Sequence, residues 1–150
     1  MQPWSLADVG AYQALVAERG GGVPSENDMG ARIESQLDAT TRTGLALLPL
    51  RRRVENDFIG YCGLLVGRAS VEEPELAFEV LRRIHDQGYA TEAARAVLDA
   101  AIASGRSRLW STVRTWNAPS LRVLDKLGFA RDHTSVDDAG ELGWLTRSLR

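Results

Sequence analysis

The 150-residue sequence predicts one α/β (α+β) domain spanning residues 1–150, with helices flanking a mixed, mostly antiparallel twisted sheet. Three observations carry that expectation. Near Gly44 the apolar pattern changes from a helical period to short apolar or alternating runs. A long amphipathic segment, Tyr89 to Ser104, then separates two such runs, which implies a crossover and a locally parallel strand pair. Finally, a chain of this length with 44% hydrophobic and 25% charged residues has the make-up of an ordinary globular core.

The elements follow in order. Ser5-Leu6-Ala7-Asp8 resembles a capping box with Asp in place of Glu, and Leu6, Val9 and Leu15 are expected to share a face of the first helix. Gly20-Gly21-Gly22 ends it. Ser25 caps a second helix, with Met29, Ile33 and Leu37 at four-residue spacing on one side. Gly44 to Leu50, Phe58 to Val66 and Glu75 to Leu81 read as three successive strands, joined closely enough to pair antiparallel. In the Tyr89–Ser104 helix, Ala90, Ala93, Ala94, Val97, Leu98, Ala101 and Ile102 form an apolar stripe that Gly105 terminates. Leu109 to Thr115 is a strand. Pro119 suits the first turn of a last helix, which buries Leu121, Leu124 and Leu127 and stops at Gly128. Ala130 to Val136 and Glu141 to Ser148 are two final strands around the turn 137–140.

Several function classes recede on bulk properties. A net charge of −2 gives no global attraction to nucleic acid or anionic membrane, so neither is an expected partner. Arg51-Arg52-Arg53 reads as a solvated turn, and Glu72, Glu73, Glu75 and Glu79 as mainly surface. The single cysteine, Cys62, lies among strand residues and reads as a buried thiol. His85 and His133 stand alone, so no metal site is expected. No secretory leader or membrane-length apolar run is visible, which makes a cytoplasmic location the default.

The most informative stretch is Gln87-Gly88-Tyr89-Ala90-Thr91-Glu92-Ala93, where a strand passes into the longest amphipathic helix. A glycine there lets backbone amides approach a ligand, and a helix N-terminus favours negative charge, so a pyrophosphate is a natural occupant. About thirty residues on come Asn117-Ala118-Pro119-Ser120 and Leu127-Gly128-Phe129. Together these segments point to an acyl-CoA enzyme.

This order of elements, with the two motifs at this separation, resembles the GNAT superfamily of N-acetyltransferases. It is most similar to the branch containing the ribosomal-protein N-terminal acetyltransferases, over nearly the whole chain and most densely from Glu75 to Phe129. The resemblance implies acetyl-CoA between two splayed parallel strands, here Glu75–Leu81 and Leu109–Thr115. It implies the pantetheine arm along the backbone of Phe78, Glu79 and Val80, and the pyrophosphate on the amides of Asp86, Gln87, Gly88, Tyr89, Ala90 and Thr91. Three departures stand out. His85 replaces the family's Arg or Gln, Asp86 stands where the branch often has glycine, and Met1-Gln2-Pro3-Trp4 leaves almost no room for the usual first edge strand.

The reaction implied is direct transfer of an acetyl group to a primary amine, on a small molecule or a protein N-terminus. Many relatives use a tyrosine acid where this chain has Leu124; the branch offers Ser120 instead, which also reads as a helix-cap hydroxyl. Asn117 is expected to contact the cofactor, cap the helix, or do both. A glutamate base of some relatives maps to Thr112, leaving Glu75 and Glu79, which share a strand face, as candidates. Trp116 could wall the acceptor pocket, while Trp4, Trp110 and Trp144 read as packing residues. The loops 20–28 and 51–57 are expected to border the acceptor side, and Glu72 and Glu73 to favour a cationic acceptor. Either a monomer or a homodimer fits. Two other classes compete: a GNAT-fold protein that binds acyl-CoA without catalysis, and a nucleotide-phosphate binder of another fold, which lacks a full Gly-x-Gly-x-x-Gly fingerprint.

Overall fold

The computed structural model describes residues 2–150. Its elements are α1 (Val9–Ala17, entered through a 3-10 turn at Leu6–Asp8), α2 (Glu26–Thr43), β1 (Leu47–Arg51), β2 (Phe58–Leu65) and β3 (Glu75–Val80). A second 3-10 turn, Arg82–Ile84, leads to α3 (Tyr89–Ala103), β4 (Arg108–Arg114), α4 (Ala118–Lys126), β5 (Ala130–Asp137) and β6 (Gly140–Ser148). The strands form one six-stranded sheet in the order β1-β2-β3-β4-β6-β5. Every pairing is antiparallel except β3 with β4, which the α3 crossover makes parallel. The fold class expected from the sequence is the one observed.

Strand alternation sorts the two faces. Tyr61 pairs with Glu79 across β2 and β3, and its ring meets Trp4 and Tyr12, so α1 and α2 cover this face. Cys62 and Phe78 point the other way, toward the face that α3 crosses. The core joins both sides: Leu15, Met29 and Ile33 from the first two helices, Ile59 and Leu76 from the sheet, and Ala94 and Leu98 from α3. Each fully buried aliphatic side chain contributes about 1.5–3 kcal/mol.

Several expectations need correcting. Leu6 is 64% exposed, because the 3-10 turn places it out of phase with Val9 and Leu15. Leu37 and Ile102 lie at the solvent edge of their stripes. Nor is Arg51–Arg53 a freely solvated turn: Arg51 pairs with buried Asp8, and Arg52 forms a two-pronged pair with Asp57. Among the described residues no strand precedes α1, and β1 is the sheet edge. Trp4 packs in the core as expected and donates its indole N–H to the Leu47 carbonyl of that edge, at 2.9 Å. No helix among the described residues is long and apolar enough to cross a membrane.

Candidate active site

The parallel pair is barely a pair. Its ladder matches only Glu75 with Trp110. One residue farther along each strand, the Ser111 hydroxyl donates to the Leu76 carbonyl at 2.8 Å, taking an acceptor that a β4 amide would otherwise use. Beyond this point the strands part, and a cleft of about 810 Å3 opens between them. The Leu81 amide donates to Ile59, which turns the backbone groups of Glu79 and the other odd-numbered residues of β3 toward β2. Phe78 and Val80 therefore present their backbone groups to the gap, whereas Glu79 presents only its side chain. The Val80 carbonyl is taken by His85 Nε2 at 2.8 Å; since a carbonyl only accepts, that nitrogen carries the proton. His85 thus closes the top of the open edge and leaves Phe78 N–H and C=O and Val80 N–H facing the cleft.

The α3 end of the cleft is built by backbone conformation. Asp86 and Gly88 both adopt left-handed φ, 63° and 83°, which turns the chain sharply into α3. The first helical amide with a backbone acceptor is Glu92, bonded to the Gly88 carbonyl at 2.9 Å. Tyr89, Ala90 and Thr91 precede it and offer orphan N–H groups at the positive end of the helix dipole. A Cβ built on Gly88 would meet nothing within 4 Å, so the approach from solvent is open. Asp86 points outward, 85% exposed, with Arg122 of α4 at 4.0 Å. Arg122 and Lys126 add positive charge to the cleft wall. Gln87 does not line the cleft; its side chain caps the Arg83 carbonyl.

On α4 the Asn117 side chain accepts the Ser120 amide at 3.3 Å, the N-cap role expected of it, and its amide nitrogen remains available. Ser120 lines the cleft one turn before Leu124, which is wholly buried and chemically inert. Trp116 is on the cleft wall and exposed.

The two candidate carboxylates share a face of β3 but not an environment. Glu75 is 4% exposed and does not line the cleft. Its oxygens accept the Thr112 hydroxyl and the Arg68 amide, both at 2.5 Å. Gly67 permits this lodging: its φ is +52°, and a Cβ there would fall 2.1 Å from Glu75 Oε2. Glu79 lines the cleft and is gripped by Arg19 from the end of α1, with Nε at 3.1 and 2.9 Å from its two oxygens and Nη2 at 2.5 Å. That contact raises the Arg19 pKa above its ordinary value. Both Glu79 oxygens thereby accept from Arg19, and the Tyr61 phenol lies against the same carboxylate. Burial first, then the Glu79 charge, push the neighbouring Tyr61 phenol upward, so it stays protonated.

Cys62, buried on the other face of β2, has its thiol pushed up to about 12 by burial. His133 lies away from the cleft, stacked on Trp144. The loops 20–28 and 51–57, Glu72 and Glu73 do not line the cleft either; Glu18 and Arg19, just before the first loop, do. The residues that sequence reasoning passed over are the cations Arg19, Arg68 and Arg114. Among the described residues no group of acidic, His or Cys side chains could hold a metal ion.

A gap between parallel strands, an open backbone edge on β3 and a ring of orphan amides at α3 suit a phosphopantetheine cofactor. The family described as Acetyltransferase (GNAT) domain matches residues 1–130. No curated protein matches the sequence. A GnaT-family acetyltransferase from Bordetella pertussis superposes with a TM-score of 0.84 at 23% identity, covering 97% of this chain and 93% of its own. An acetyltransferase from Agrobacterium tumefaciens gives 0.80 at 24% identity, with coverages of 97% and 88%. An acetyltransferase from Salmonella typhimurium, solved with its cofactor acetyl-CoA, gives 0.77 at 16%, with coverages of 99% and 92%. The chain belongs to the GNAT acetyltransferase family, whose cofactor is acetyl-CoA.

Proposed function

We propose that the protein transfers the acetyl group of acetyl-CoA to a primary amine by direct attack, in the cytoplasm. Its sequence motifs ally it with the ribosomal-protein branch. The observation that carries the reading is the single-pair β3–β4 ladder with the free Phe78 edge above it. Phe78 N–H and C=O and Val80 N–H bind the pantetheine amides as an added strand would. The amides from Asp86 to Thr91 hold the diphosphate. The Asn117 side-chain amide steadies the arm from α4. The cofactor supplies an acetyl group already activated as a thioester.

Glu79 takes the acceptor's proton, directly or through water, and Arg19 fixes its orientation. Glu75, sealed beneath Thr112, supports the β2–β3 turn rather than the chemistry. Ser120 is the acid that protonates the departing sulfur. Its place beside Asn117 in the first turn of α4 aims it at the same gap. A covalent route through Cys62 is disfavoured, since its thiol stays protonated and faces away from Glu79.

Thiol release from acetyl-CoA across an amine panel tests this reading, with Ser120→Ala and Glu79→Gln as variants. Each is expected to lower kcat roughly a hundredfold, the usual contribution of an acid or base. A second reading, an acyl-CoA-binding protein without catalysis, is favoured by the buried Leu124 at the tyrosine position. It wins if acetyl-CoA raises the melting temperature while no amine releases thiol. Both readings fail if acetyl-CoA gives no stabilisation.

A further inference from the structure

The acceptor side of the gap holds three arginines, and they are not equivalent. Arg19 is paired with Glu79 and Arg114 with Asp137. Arg68 lines the cleft and is exposed, and its guanidinium has no carboxylate partner among the described residues; Nη1 donates only to the Thr112 hydroxyl, at 3.2 Å. The hydrogen bonds of Glu75 go to the Thr112 hydroxyl and the Arg68 main-chain amide, not to the Arg68 guanidinium. The position of Arg68 is fixed all the same. Its amide is tied to a buried carboxylate, and the Gly67 before it has a left-handed φ that favours glycine. A guanidinium held at the wall of a cleft by the Thr112 hydroxyl, with donors to spare, is a carboxylate receptor.

Arg68 and Glu79 line the same cleft, so one acceptor can meet both. Tyr61, Trp116 and Leu142 line the remaining cleft wall and suit an apolar side chain.

Resting on the acetyl-transfer reading of this cleft, we propose that the acceptor is a free amino acid or amino-acid-like compound. Arg68 binds its carboxylate while its amine faces Glu79. A protein N-terminus, which lacks the α-carboxylate, is then the poorer acceptor.

The test compares each L-amino acid with its α-amide in thiol release from acetyl-CoA by the full chain. The amide's amine is the more easily deprotonated, so a preference for the acid cannot come from the nucleophile. The acid is expected to exceed the amide in kcat/KM by roughly ten- to a hundredfold, as one charged hydrogen bond supplies. Arg68→Ala should collapse that ratio, and Arg68→Lys should restore part of it. Equal use of acid and amide, or an Arg68→Ala loss that falls on both alike, overturns the proposal. Should no amine release thiol, the transferase reading fails separately. The carboxylate site is then read from melting of the coenzyme A-bound protein. A rise with acids but not amides, lost in Arg68→Ala, upholds it, and no rise refutes it.

Discussion

Replacing Gly88 by glutamate separates the two things this residue does at the mouth of α3. Its left-handed φ of +83° costs any residue with a Cβ about 1–2 kcal/mol, and alanine bears this as fully as glutamate. Sterically the site is open, since a Cβ meets nothing within 4 Å, so neither variant should lose the fold. What glutamate adds is a negative charge beside the amides of Tyr89 to Thr91. With the carboxylate about 7 Å from the diphosphate and an effective dielectric of about 40, each phosphate charge costs about 1.2 kcal/mol. The pair costs about 2.4 kcal/mol, or roughly fiftyfold in affinity. Titration calorimetry with acetyl-CoA should show Gly88→Ala close to wild type and Gly88→Glu weaker by that factor. The gap between them should narrow at high salt, because the charges are exposed. Equal affinities for the alanine and glutamate variants would refute the electrostatic reasoning. Wild-type affinity in Gly88→Glu would remove the diphosphate from this turn altogether.

Three further outcomes are expected. Asp86→Gly relieves a left-handed non-glycine residue and removes a carboxylate from the phosphate loop, so acetyl-CoA affinity should rise about threefold; a fall would mean that the Asp86–Arg122 contact matters more than the charge. The Asp57 carboxyl is held well below its ordinary range, first by Arg52 and then by Arg83, so its folded value lies under its unfolded one. Its contribution to stability is then complete above about pH 4 and is lost as pH falls further; the melting difference between wild type and Asp57→Asn should shrink below that point, and a gap independent of pH would contradict the pairing. At pH 8 Cys62 should resist an aromatic disulfide reagent until urea unfolds the chain, because its thiol titrates near 12; prompt native-state reaction would place it nearer solvent than its burial indicates.

The order of elements, the crossover and the turns that open α3 and α4 were legible in the sequence, because each is written locally. Period changes mark the strands, Gly88 and Gly105 bracket α3, and Asn117 caps α4 ahead of Pro119. What failed was phase and partnership. One 3-10 turn rotates Leu6 out of the stripe it seemed to share with Leu15. Arg51 and Arg52 looked like a solvated run because their partners, Asp8 and Asp57, arrive from the 3-10 turn before α1 and from across a turn. Arg19 and Arg68 carry no local signal at all. Each gains meaning only when the sheet brings Glu79 or Thr112 beside it, dozens of residues away in the chain.

The carboxylates of β3 show why such partnerships escape a one-dimensional reading. Period two gives Glu75 and Glu79 the same face, and the unbroken register with β2 confirms that they share it. Their fates differ because of a neighbour that changes along the strand. At Glu75 the two parallel strands still touch, so Thr112 and the Gly67–Arg68 turn close over the carboxylate and use both its oxygens. Four residues on the strands have parted, and Glu79 lines the cleft between them. On the proposed reading, the divergence that would admit the thioester arm also selects which carboxylate can meet the acceptor. It follows that closing the strands further along, rather than altering either glutamate, would remove the proposed cofactor site and the proposed base together.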